Sequence, residues 1–226
     1  SVPWSAVFGN HDTLINGVIP IDSGLRSLAT GDRKAAEYPV LAEVYLRGMA
    51  QDGSVFNRFT NNAWTQHGID PRLMTVTADG ERKLFEQLDF ISTHLNSPAT
   101  PGPVGHGFTQ DNLNTGQTYW TADLNSVFRV FGLDTCNQTA GADGAVPEDQ
   151  FNWLKAGLAQ AQQENKLAIV LSHHNSVTLE NAAEPVFGGQ GLIHAEEFIS
   201  MLNEYPNMVA WVNGHTHINT IRPHPN

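Results

Sequence analysis

The chain has 226 residues, a formal net charge of −11, ten histidines and one cysteine. Twelve dispersed Lys and Arg against 23 Asp and Glu exclude the clustered basic patch of a nucleic-acid phosphate binder, although histidines or a metal can still hold a small phosphate. Cys136 alone excludes an internal disulfide and any thiolate cluster, so a metal here would need nitrogen and oxygen ligands. The length fits one large domain or one domain with a substantial insertion. No apolar run reaches the roughly 18 residues of a membrane span, and the first residues carry no signal-peptide pattern.

Trp4 to Phe8 reads as a short buried strand, and Gly9 allows a sharp turn that projects Asn10 and His11 from its end. Thr13 to Thr30 lacks periodicity and reads as loop. Ala35 to Met49 has Tyr38, Leu41, Val44, Tyr45 and Met49 at helical spacing, with Pro39 setting the helix start. Gln51 to Thr75 shows no sustained period. Asp79 to Leu95 reads as a second helix with Leu84, Leu88 and Ile91 on one stripe, and Ser97 to Gly107 as irregular chain. About a hundred residues thus separate the first strand from the next, against roughly 12 to 15 for a plain loop, so residues 13–114 are expected to form an insertion that caps or walls a site.

Gly116 to Asp123 and Val127 to Asp134 read as paired strands turned at Asn125-Ser126. Pro147 opens a helix with Glu148 and Asp149 in its first turn and Phe151, Leu154 and Leu158 as its apolar stripe. Lys166 leads into an apolar strand ending at His173. Ala195 to Tyr205 is an amphipathic helix with Phe198, Ile199 and Leu202 inward, Met208 to Val212 a last apolar strand, and Ile218 to Arg222 a candidate continuation. Alternating strands and helices in this half predict an α/β layered core.

Three apolar runs break into metal-binding chemistry: Gly9-Asn10-His11-Asp12, Ser172-His173-His174 and Gly214-His215-Thr216-His217. Ligands gather outside the carboxyl ends of strands in open α/β sheets, so three such ends predict one shared site. Five of the ten histidines stand there. His215 and His217 are two apart and point to one face of extended chain, and neutral imidazole is the commonest protein metal ligand. His173 and His174 face opposite ways on a strand, so one of them reaches the site, and the apolar run before them does not say which. Asn10, His11 and Asp12 offer an amide oxygen, an imidazole and a carboxylate, a set that also suits an ordinary turn. His106, between Gly105 and Gly107, could reach a substrate from the insertion, a loop histidine being the plainer account. Asp134 could support the site or simply form a turn, and Cys136 reads as a buried apolar side chain.

In their order, Gly9-Asn10-His11-Asp12, the strand ending at His173, and Gly214-His215-Thr216-His217 resemble the third, fourth and fifth motifs of the calcineurin-like metallophosphoesterases. Thr115 through Leu158, with Tyr119, Leu133-Asp134-Thr135 and Gln150 to Leu154, further resembles a bacterial branch of that superfamily with a long insertion. The resemblance implies a four-layer α/β/β/α sandwich and a dinuclear centre. One metal would take Asn10, His173 and His215 and the other His217, while His11 would act on the leaving group with Asp12 orienting it. The pair, about 3.5 to 4 Å apart, would activate a bridging hydroxide for in-line attack on phosphorus. Nitrogen and oxygen ligands suit Mn, Fe, Zn or Co. The partner implied is a small phosphorylated substrate, monoester or diester, in a bacterial and exported setting. Alternatives are a noncatalytic scaffold on the same fold and a mononuclear metal hydrolase.

The chain departs from that pattern in one respect. The family opens with Asp-x-His and Gly-Asp motifs, yet only nine residues precede Asn10, and Gly31-Asp32 stands out of order. The expectation is therefore a C-terminal fragment without the first βαβ portion, holding an incomplete site.

Overall fold

Parallel strands need a crossover between them, and amphipathic helices between apolar runs supply it. The structure, a computed structural model, describes residues 2–12, 23–37, 72–98, 101–136, 143–180 and 191–223. It is mixed α/β. In chain order it forms α1 (Ser23–Thr30), β1 (Arg33–Glu37), β2 (Arg72–Thr75), α2 (Gln87–Asn96), α3 (Gln110–Thr115), β3 (Trp120–Asp123) and β4 (Phe128–Gly132). There follow β5 (Val146–Pro147), α4 (Glu148–Gln163), β6 (Leu167–Leu171), β7 (Leu192–Ile193), α5 (Ala195–Asn203) and β8 (Met208–Val212).

The main sheet has the order β3-β4-β6-β8. β3 and β4 pair antiparallel through the turn at Asn125, whose Oδ1 accepts the N–H groups of Val127 (2.8 Å) and Phe128 (2.9 Å). β4 and β6 then pair parallel with Val130 opposite Ile169, and β6 and β8 parallel with Ile169 opposite Ala210. The crossovers run through α4 and α5, so the sheet is of mixed sense.

Side chains alternate across a sheet, and both faces here are covered. Phe131, Ala168 and Val170 point to one face, where Leu154 and Leu158 of α4 and Phe198 and Leu202 of α5 pack on them. Val130, Ile169 and Leu171 point to the other, against Phe8, Phe90, Ile91, Phe108 and Trp120. Phe90, Ile91 and Phe108 lie within the expected insertion, and they join the core of the sheet. α4 begins where expected, after Pro147 and with Glu148 and Asp149 in its first turn.

Several expectations are corrected. Trp4 to Phe8 forms no strand. Its backbone bonds go to a loop carbonyl and an indole: Ala6 N–H donates to His106 O (2.9 Å) and Ala6 O accepts Trp120 Nε1–H (2.8 Å). Residues 23–30, expected as loop, form α1. Residues 35–37 of the expected helix belong to β1, paired antiparallel with β2, and the rest of that helix lies outside the described residues. The second expected helix is split: Asp79 caps a single turn at Gly80–Arg82, and a capping box of Glu86 and Asp89 restarts the chain as α2. Its buried pair is Phe90 and Ile91, with Leu88 half exposed. α5 ends at Asn203, with Met201 inward and Ile199 only partly covered. Residues 218–222 carry no strand. Among the described residues no helix is long and apolar enough to cross a membrane.

Candidate metal centre

β4, β6 and β8 run the same way, so their carboxyl ends open on one edge, and hydrogen bonds carry the register past the strands. Leu133 N–H donates to Leu171 O (2.9 Å), Ser172 N–H to Val212 O (3.1 Å) and Gly214 N–H to His173 O (3.0 Å). The loops at 133–136, 172–175 and 213–217 are thereby held side by side.

The turn at 9–12 closes on them. Gly9 N–H donates to Asp12 Oδ2 (2.8 Å), and Asp12 N–H returns to Gly9 O (3.1 Å). A side chain on Gly9 would bring a Cβ within 2.9 Å of His173 Nδ1, so only glycine lets the turn come this near. Asn10 is thereby buried with its Oδ1 2.8 Å from His173 Nε2, and the same nitrogen lies 3.0 Å from His215 Nδ1.

One Nε2 proton can serve only one of these two neighbours. Three lone-pair atoms so placed suit a cation: nitrogen and oxygen ligands about 2.1 Å from a metal stand about 3.0 Å apart at right angles and about 3.4 Å apart in a tetrahedron. The spacings of 2.8 and 3.0 Å match the closer arrangement.

His173, His174 and His215 each offer a nitrogen within 4.8 Å of the others, a group that could hold a metal ion. His174 is fully buried, and its Nδ1 lies 2.8 Å from Thr135 Oγ1, which also accepts its backbone N–H (3.2 Å). With Nδ1 taken up by Thr135, a cation could be served only by Nε2. The backbone at Gly144 lies directly on the His174 ring, where a Cβ would overlap it.

Burial lowers the pKa of His173 to about 4, helped by the charge of His215 and opposed by Asp12. Burial also lowers that of His215, against the pull of Asp143 and with the repulsion of His217 and His11. Both rings are therefore neutral near pH 7 and carry the lone pair a metal needs. His215 and His217 adopt left-handed backbone (φ 66° and 55°), a conformation costing about 1 to 2 kcal/mol per non-glycine residue. It turns the chain back toward His173.

The structure brings Asn10, His173 and His215 into contact and sets exposed His11, Asp12 and His217 within electrostatic reach of them. It places His106 elsewhere, buried and stacked on Trp4 (3.5 Å between centroids) with Nδ1 3.1 Å from Trp4 O. Asp134 makes a turn, its Oδ1 accepting Cys136 N–H (2.9 Å) and its Oδ2 Gln87 Nε2–H (3.0 Å). Cys136 is buried, as expected. Of the two neighbouring histidines, one was expected to support the site or meet solvent, and His174 is the buried one, bonded to Thr135; the ties of Thr135 and of Asp143 to the histidines were not legible in the sequence. Asp143-Gly144 carried a turn signal, but nothing tied it to the histidines.

No family model matches the chain, and no curated protein or solved structure is significantly similar to it.

Proposed function

We propose that the chain carries a metal site of a metal-dependent phosphoesterase, on the four-layer sandwich that its motifs resemble. What supports this most is the convergence of Asn10 Oδ1, His173 Nε2 and His215 Nδ1 at the carboxyl edge of a mixed sheet. Asn10, His173 and His215 would hold one ion and His217 would serve a second. A bound divalent ion supplies Lewis acidity toward a phosphoryl oxygen and acidifies a water.

The remaining chemistry falls to the chain. His173 and His215, neutral at pH 7, keep the cluster from repelling a cation. His11, exposed at the tip of the 9–12 turn, presents an imidazole that can protonate a leaving oxygen or stabilise developing charge. Asp12 holds that turn shut through Gly9 N–H and so orients His11. The substrate would be a small phosphate monoester or diester.

A mononuclear hydrolase is the second reading, favoured by the grouping of three imidazoles at His173, His174 and His215. Calorimetric titration of the chain with Mn2+ or Co2+ tests both, alongside hydrolysis of bis(p-nitrophenyl) phosphate. Binding that His215→Ala weakens at least about tenfold is expected, since one of a few first ligands is lost. One ion bound at Asn10, His173 and His215 without turnover supports the first reading, in which this chain holds an incomplete dinuclear site, and one ion with His215-dependent turnover supports the second. A wild-type chain that binds neither metal overturns both.

A further inference from the structure

Two loops carry the histidines, 172–178 and 213–217, and the Asn175 side chain reaches across them, beside the contact of His173 with His215. Asn175 Oδ1 is committed to its own loop, accepting Val177 N–H (2.9 Å) and the Thr178 hydroxyl (3.2 Å). Since a backbone N–H can only donate, that contact assigns the amide: the oxygen faces Val177 and the NH2 group faces away. Asn175 Nδ2 points across to the other loop, 3.3 Å from Thr216 Oγ1 and 3.5 Å from Gly214 O. Thr216 stands between His215 and His217, both of them in left-handed backbone. In the same turn Thr216 N–H donates to Gly214 O (2.8 Å).

We propose that Asn175 is a positioning residue that locks the Gly214–His217 turn against the His173 loop, through Thr216, and so sets the aim of His215 at His173. Two strained residues need outside support to hold one conformation. The ladder bond from Gly214 N–H to His173 O fixes only the near side of the turn. The Asn175 amide supplies the second point of attachment, beyond His215, so the imidazole sits on a segment anchored at both ends. Its effect on metal affinity rests on the proposed metal site, whereas its effect on the His215 ring does not.

The test uses the whole chain with Asn175→Ser, Thr216→Val, Thr216→Ser and the Asn175→Ser/Thr216→Val double variant. Asn175→Ser keeps a side-chain oxygen that can accept Val177 N–H, as serine does in such turns, adds no charge, and is too short to reach Thr216. Imidazole 1H–15N NMR of the metal-free chain, and Co2+ binding by calorimetry, are read for each. Asn175→Ser and Thr216→Val are each expected to shift the His215 ring signals and to weaken Co2+ binding by about tenfold, a lost oriented hydrogen bond. The double variant should go little further, because both remove one interaction. Thr216→Ser should behave as wild type. His215 signals unmoved in Asn175→Ser, with Co2+ affinity within about twofold of wild type, overturn the proposal. If the wild-type chain binds no Co2+, the metal reading falls and the ring signals alone decide the positioning.

Discussion

Replacing Asp134 by Asn should make the protein more stable at pH 8 and leave it nearly unchanged at pH 4. Asp134 is buried at the end of β4, and burial raises its pKa from 3.8 to about 6, in spite of bonds from Thr118, Cys136 N–H and Gln87. At about 1.4 kcal/mol for each pH unit between the two values, its ionisation costs the folded state about 3 kcal/mol. A carboxyl raised on folding stabilises the protein fully below its unfolded pKa and loses that contribution as pH rises through its folded pKa, here from about 4 to about 6. Asn cannot ionise, and its amide oxygen can still accept Cys136 N–H. Urea unfolding of wild type and Asp134→Asn across pH 4 to 8 measures the difference. The variant should gain about 2 to 3 kcal/mol on wild type over that range, allowing about 1 kcal/mol for the altered contact with Gln87. His173 titrates in the opposite sense, losing stability as pH falls from 6.5 toward about 4. It does so in both proteins and cancels in the comparison. A stability difference that stays constant from pH 4 to 8 would refute the burial argument.

Gly9→Ala should displace His173, whose Nδ1 a Cβ would approach to 2.9 Å; a cost of about 1 to 3 kcal/mol in urea unfolding and weaker Mn2+ binding are expected, and unaltered binding would show that the close approach is dispensable. Gly144→Ala should press on the His174 ring and the Thr135 carbonyl, lowering the melting temperature by several degrees, about 2 to 4 °C for each kcal/mol lost in a domain of this size. Co2+ affinity should hold nearly steady from pH 7.5 to 6.5 and fall as pH nears 4, since burial keeps His173 neutral down to about that value; a proton-linked loss centred near 6.5, the ordinary imidazole value, would contradict it. Asp123, paired with Arg129 and Lys166 on the surface and held down to about 2 first by Arg129, should cost less than about 1 kcal/mol as Asn and less still in high salt, read by the same unfolding assay.

Much of the second half was legible because its signals are local. Asn125 closes the β3/β4 turn, Pro147 and two acids start α4, and apolar runs with helices between them dictate parallel strands. The first half was less so. β1 and β2 pair residues nearly forty apart along the chain with no alternation to announce them, and the N-terminal segment satisfies its backbone through His106 and Trp120 rather than a ladder. Two neighbouring histidines could not be ranked from strand periodicity. The structure divides them by surroundings, with His173 facing Asn10 and His215 while His174 bonds Thr135 in the core.

The sequence by itself determined which side chains could do chemistry and that they stand at strand ends, because glycines, histidines and apolar runs are written in adjacent positions. Only the tertiary structure decided that Asn10 meets His173 across 163 residues and His215 across a further 42. That meeting depends on the parallel register of β4, β6 and β8 and on a glycine small enough to let one turn close on another. Neither sheet register nor the close approach of backbone to a distant ring leaves a local trace in the chain.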